Sequence, residues 1–90
     1  MPLPRIRISA HARRQMRRRE LSEKLVLRVT RDPVEVIRPR PGREIRQSFV
    51  VDRATGKSYL VRIVVDVSFE IEVIVTAYKT SRMARYRGES

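Results

Sequence analysis

The sequence predicts a single α+β domain in which two N-terminal helices pack on one face of a four-stranded antiparallel sheet. Three observations predict it. Apolar residues recur at about 3.6 positions through residues 10–31 and at 2 from Val34 onward. Ser9 and Ser22 stand where helix N-caps belong. Short connections, two of the three bearing glycine or proline, join the later segments, which favours antiparallel neighbours.

Ser9 caps a first helix, AHARRQMRRRE, in which Ala12 and Met16 share one face and arginines cover the rest. Ser22 caps a second, where Leu21 and Val26 hold the two positions of a hydrophobic staple and Leu25, Val26 and Val29 form the buried stripe. That helix must stop near Asp32, because Pro33 disfavours the helical region for the residue before it. Four strands follow at 34–38, 44–52, 58–66 and 70–78, joined by the loop 39–43, a hairpin loop with Gly56 at a positive φ, and a turn around 67–69.

Alternation sorts the strand side chains into two sets. Phe49, Val51, Val61, Ile63, Val65, Ile71, Val73, Val75 and Ala77 form the apolar set expected to receive the helices. Arg46, Ser48, Val50, Leu60, Arg62, Val64, Glu70, Glu72, Ile74, Thr76 and Tyr78 form the mixed set expected to stay open to a ligand or partner.

The 90 residues carry 21 Lys and Arg against 10 Asp and Glu, a formal charge of +11 that draws polyanions before any specific contact forms. An apolar content of 41% and long Val/Ile runs argue for a packed core rather than a basic tail. There is no cysteine, which excludes disulfides and thiolate chemistry, and one histidine makes a zinc site a poor expectation. No cofactor or metal is expected. The N-terminus lacks a signal-peptide core and no apolar run is long enough to span a bilayer, so the expectation is a cytoplasmic protein without membrane contact.

Metal-independent RNA cleavage needs a base, an acid and cations around one phosphate. His11 lies in the first turn of a helix, and Glu44 offers a second base. Tyr78 and Thr80 close the last strand beside Lys79, Ser81 and Arg82, while Arg43, Arg46, Ser48 and Arg62 could bind phosphate. Tyr78 and Tyr86 could stack on bases. Structural roles compete at each position: a solvated helical histidine, charges that keep a strand soluble, and an Arg62–Glu72 salt bridge.

The segments HARRQMRRRELS, PGREIRQS, YLVRIVVD and VTAYKTSRMARY together resemble the domain of unknown function 4258, itself similar in layout to RelE-like and barnase-like ribonuclease toxins. That resemblance implies a RelE/barnase-like fold and a toxin-like endoribonuclease of a toxin–antitoxin system. The positions carried over by motif are His11, Arg43, Glu44, Ser48, Arg62, Tyr78, Lys79, Thr80 and Ser81. Joined with the reading of the residues, the expected site has His11, Glu44, Tyr78 and Thr80 as catalytic groups and Arg43, Arg46, Ser48, Arg62, Lys79, Ser81 and Arg82 for substrate. The expected partners are RNA, with DNA as the alternative, and an acidic antitoxin or a second copy of the chain. A non-catalytic nucleic-acid-binding or protein-interaction module is the competing expectation.

Overall fold

In the computed structural model, which describes residues 5–81, both serine caps form. Ser9 Oγ accepts the Ala12 N–H at 3.0 Å and starts α1 (Ala10–Arg18). Ser22 Oγ accepts the Leu25 N–H at 3.1 Å and starts α2 (Glu23–Arg31), with the staple pair Leu21 and Val26 both buried. Between the helices, Leu21 N–H reaches back to Met16 O at 2.8 Å and Glu20 N–H to Arg17 O at 3.4 Å. These two bonds make a Schellman ending, and its left-handed residue is Glu20 at φ 55° rather than the usual glycine, at a cost of about 1 kcal/mol.

The strands are β1 (Ile6–Ile8), β2 (Glu35–Arg40), β3 (Arg43–Val51), β4 (Ser58–Asp66) and β5 (Glu72–Thr80), in the order β1-β5-β4-β3-β2. The sheet is therefore five-stranded and mixed, which corrects the four-stranded antiparallel sheet and the RelE/barnase-like layout expected from the sequence. The added strand is Ile6-Arg7-Ile8, which pairs parallel with β5 through Ile6↔Glu72 and Ile8↔Ile74. Three residues are too few to give a clear period, and the pairing joins segments with nearly the whole chain between them. Past Ile74 the outer edge of β5 loses this partner, and Gln15 Oε1 of α1 accepts the Ala77 N–H at 3.0 Å instead.

Residues directly opposite in adjacent strands share a face. Arg46 pairs with Ile63 and Ser48 with Val61, so Glu44, Arg46, Ser48 and Val50 lie on the helix side with Val61, Ile63 and Val65. Phe49 and Val51 lie on the other side, 44% and 60% exposed. In β5 the pairing slips between Val64↔Thr76 and Val65↔Ile74. Val75 is the extra residue, and the bulge turns Ile74 and Glu72 toward the helices and Val73 away. Ile74, Ala77, Val61, Ile63 and Val65 then close one core with Ile8, Ala12, Met16, Leu21, Val26 and Val29. The expected placement of β4 holds, whereas that of β3 and of residues 72–74 is reversed.

Two substitutions distinguish the faces. Ile63→Ala removes a fully buried side chain and is expected to lower unfolding stability by about 3 kcal/mol in urea denaturation, while Val51→Ala should change it by less than about 0.5 kcal/mol.

Candidate nucleic-acid interface

Near the C-terminus of α2 the helix layer stops short of the sheet, and an ion-pair cluster occupies the gap. Arg46 donates to both carboxylate oxygens of Glu72, at 2.9 and 2.6 Å, to Glu44 Oε1 at 3.0 Å and to the Thr30 carbonyl at 3.0 Å. One guanidinium thus ties β3 to β5 and caps the last turn of α2. Glu44 Oε2 also meets Arg38 of β2 at 3.3 Å. The Arg46 hydrogen bonds hold the Glu72 carboxyl below the ordinary glutamate range against the opposing effect of burial. They hold Arg46 above its ordinary value by the same contact.

The β2–β3 hairpin is fixed next to this cluster. Gly42 turns the chain at φ +82°, its carbonyl accepts the Val67 N–H at 2.8 Å, and a Cβ there would fall 2.5 Å from Ser68 Oγ. Arg38, Arg40 and Arg43 surround the resulting concavity of about 510 Å³ together with Pro39, Pro41, Glu44 and Val67. Asp66 is the neighbouring acid; the Ser68 N–H that it accepts at 2.9 Å, and then Arg43 and Arg40, lower its pKa.

A second concavity of about 380 Å³ shares Arg38 and Glu44 with the first and adds Arg31, Arg46 and Glu72. From Arg31 a shallow groove follows α2 past Leu27 and Arg28 to Lys24. Lys24, Arg28 and Arg31 recur at four- and three-residue spacing, so they form one stripe of the helix. Lys24, Arg28, Arg31, Arg38, Arg40 and Arg43 make a continuous cationic track, and among the described residues only Arg38 of these six forms an ion pair.

The residues expected to form one site are divided among several places. Arg43, Glu44 and Arg46 belong to the track and its adjoining cluster. Ser48 is buried on the helix side, where its hydroxyl accepts the Val34 N–H at 3.0 Å. Arg62, Tyr78 and Thr80 lie on the opposite face of the sheet. There a polar row, Glu35–Gln47–Arg62–Tyr78, crosses four adjacent strands in register. Gln47 Nε2 donates to Glu35, and Arg62, 7% exposed, stands 5.8 Å from the Tyr78 ring centroid. Glu72 pairs with Arg46, so the Arg62–Glu72 salt bridge does not form.

His11 is exposed at the start of α1, where the Ser9 N–H bonds Ile74 O. Tyr78 and Thr80 are four and six residues further along β5, roughly 13–20 Å away, on the far side of the sheet. The helix start and the strand end therefore do not share a pocket. Lys79 faces the helices, its Nζ 5.1 Å from the Tyr59 ring centroid, and Ser81 is exposed beyond β5. Arg82 and Tyr86 lie outside the described residues.

Sequence reasoning missed Lys24, Arg28, Arg31, Arg38 and Arg40. The helical spacing of the first three was visible, as was the RPRPGR run at 38–43. Among the described residues no group of three or more His, Asp or Glu is placed to hold a metal ion, and no helix is long and apolar enough to cross a membrane.

A family model described as a domain of unknown function (DUF4258) matches residues 8–79. Comparison with curated proteins and with solved structures found no significant match for either.

Because Glu72 titrates lower in the folded chain than in the unfolded one, its contribution to stability is present above about pH 4.3 and is lost as pH falls through its folded-state value. Chemical denaturation between pH 6 and pH 3, run on the natural chain and on Glu72→Gln, should show a shallower acid loss in the variant. At neutral pH the variant is expected to be less stable by about 2 kcal/mol.

Proposed function

The chain belongs to the DUF4258 family, and from that premise we propose that it binds single-stranded RNA by the phosphate backbone, along the cationic track from Arg43 to Lys24. The supporting observation is the continuity of the track: concavities that share Arg38, Arg31 and Arg28 follow one another from the hairpin to the N-terminal turn of α2. A flexible polyanion needs a connected path of cations, and arginine forks suit phosphate better than ammonium groups do. The exposed arginines of α1, Arg13, Arg14, Arg17 and Arg18, widen the field on the same layer.

Such binding weakens linearly in log–log dependence on salt, with a slope of about −0.7 per neutralised phosphate for a single strand. The double variant Arg28→Ala/Arg31→Ala is expected to lower affinity for a short oligoribonucleotide roughly tenfold at about 0.1 M salt and to reduce the slope by about 1.4. Fluorescence anisotropy across a salt series reads both quantities. Unchanged affinity and slope would remove the track from the binding surface.

A second reading, metal-independent cleavage, rests on the position of Glu44. Its carboxylate lines both concavities between Arg38 and Arg46, next to Arg40 and Arg43. A phosphodiester held by those arginines would set a 2′-hydroxyl near a carboxylate able to take its proton. Attack of that oxygen on phosphorus, with the 5′-oxygen leaving protonated by solvent, would yield a 2′,3′-cyclic phosphate. Incubation with RNA in EDTA decides between the two: cyclic-phosphate ends abolished by Glu44→Gln support cleavage, and an intact strand that stays bound supports binding alone. An acidic antitoxin, the other partner proposed, would compete with RNA for the same cations.

A further inference from the structure

At the other end of α2 the molecule has a small pocket of a different character. It measures about 170 Å³, and Leu21, Leu25, Val50 and Val61 form an apolar floor. Glu20, Asp52, Tyr59 and Lys79 form its rim. What sets it apart from the track is its charged rim, which holds two carboxylates beside one lysine, whereas the charged groups of the track's shallow groove along α2 are all cations. Leu25 also lines the last shallow recess of the groove beside Lys24 and Arg28, so the pocket lies where the track ends.

Glu20 is the unusual member of the rim. It occupies the left-handed position of the turn between the helices, at φ 55°, where glycine fits without strain. The Schellman bonds fix its backbone, and the turn sets the side chain at the mouth of the pocket. A residue that costs stability where it stands invites a functional reason for being there. Asp52 is partly engaged, since its Oδ1 accepts the Ala54 N–H at 2.9 Å. Lys79 is held over the Tyr59 ring, which keeps its ammonium at the rim.

We propose that this pocket takes one guanine base of a bound RNA strand. The inference rests on the RNA-binding reading above and adds base selectivity to it. The volume suits one flat ring system rather than a whole nucleotide, and an apolar floor with an aromatic neighbour suits a ring face. A carboxylate then selects among bases. Guanine alone presents two adjacent N–H donors, N1 and N2, on one edge, which a single carboxylate can accept in parallel. Adenine, cytosine and uracil each place an acceptor beside their donor, which would face the carboxylate with like charge. Guanine also carries acceptors at O6 and N7 for the Lys79 ammonium.

The test uses the full chain with guanosine 5′-monophosphate and adenosine 5′-monophosphate as probes, followed by NMR amide shifts. The guanine nucleotide is expected to shift Leu21, Val50 and Val61 and to bind at least tenfold more tightly than the adenine nucleotide. Glu20→Gly should raise the melting temperature, because glycine relieves the left-handed strain, while abolishing the guanine preference. Glu20→Gln should abolish the preference without the gain in stability. Equal shifts from both nucleotides, shifts mapping elsewhere, or a preference surviving in Glu20→Gly would overturn the proposal.

Oligoribonucleotides differing in one guanine-to-adenine change identify the source of the base. A tenfold preference for guanine supports RNA, and a preference confined to the mononucleotide overturns the RNA assignment. Salt-dependent RNA binding without guanine preference removes this proposal alone. Guanine binding in the pocket without RNA affinity removes the RNA reading instead.

Discussion

Two nine-residue helices are each roughly 13 Å long, whereas the three nine-residue strands beneath them run to about 30 Å. The helix layer cannot cover its face of the sheet, and both candidate sites follow from that shortfall. Where α2 ends, the exposed part of the face is polar, and Arg46 with Glu44 and Glu72 fills it by charge pairing. Where α2 begins, the face is apolar, and Leu21, Leu25, Val50 and Val61 leave a small hollow. The buried middle, with Ile63, Val65, Val26 and Val29, provides the rigid base that holds the two ends apart.

The Arg46 cluster satisfies four constraints with one side chain. It pairs with two carboxylates, supplies a donor to an orphan carbonyl of α2, and bridges two strands that are not adjacent. Removing any one member would leave charge in a partly dry place, which is why such clusters resist piecemeal change. Arg38 and Arg46 together balance Glu44 and Glu72, so the concavity between Arg31 and Arg38 has a charge-neutral floor, with the surplus cations Arg28 and Arg31 on one side and Arg40 and Arg43 on the other.

Much of the architecture was legible in the chain. Serine caps, the Leu21/Val26 staple, the stop before Pro33 and the four longer strands all follow from local chemistry, and each lies close to its expected bounds. What could not be read is what depends on register. The side chosen by β3 is set by its pairing with β4, and its sequence offers apolar and polar residues to both faces. The bulge at Val75 reverses half of β5 with no glycine to signal it. His11 and Thr80 look like neighbours only to a reading that lacks the direction of α1 along β5. Arg43, Glu44 and Arg46 could be grouped from the sequence because they are near neighbours on one strand, whereas the track needs α2 and the hairpin to be brought side by side.

The parallel pairing of β1 with β5 also bears on synthesis. Ile6 and Glu72 are joined across 66 positions, so a ribosome must deliver nearly all of the described chain before the first strand can dock. Until then Ile6 and Ile8 have no sheet to join, and α1 lacks the β5 edge against which Gln15 is anchored. The nascent chain therefore completes its sheet only after Glu72–Ile74 have emerged, and during that interval its unpaired edge is a surface that chaperones or a neighbouring copy could engage.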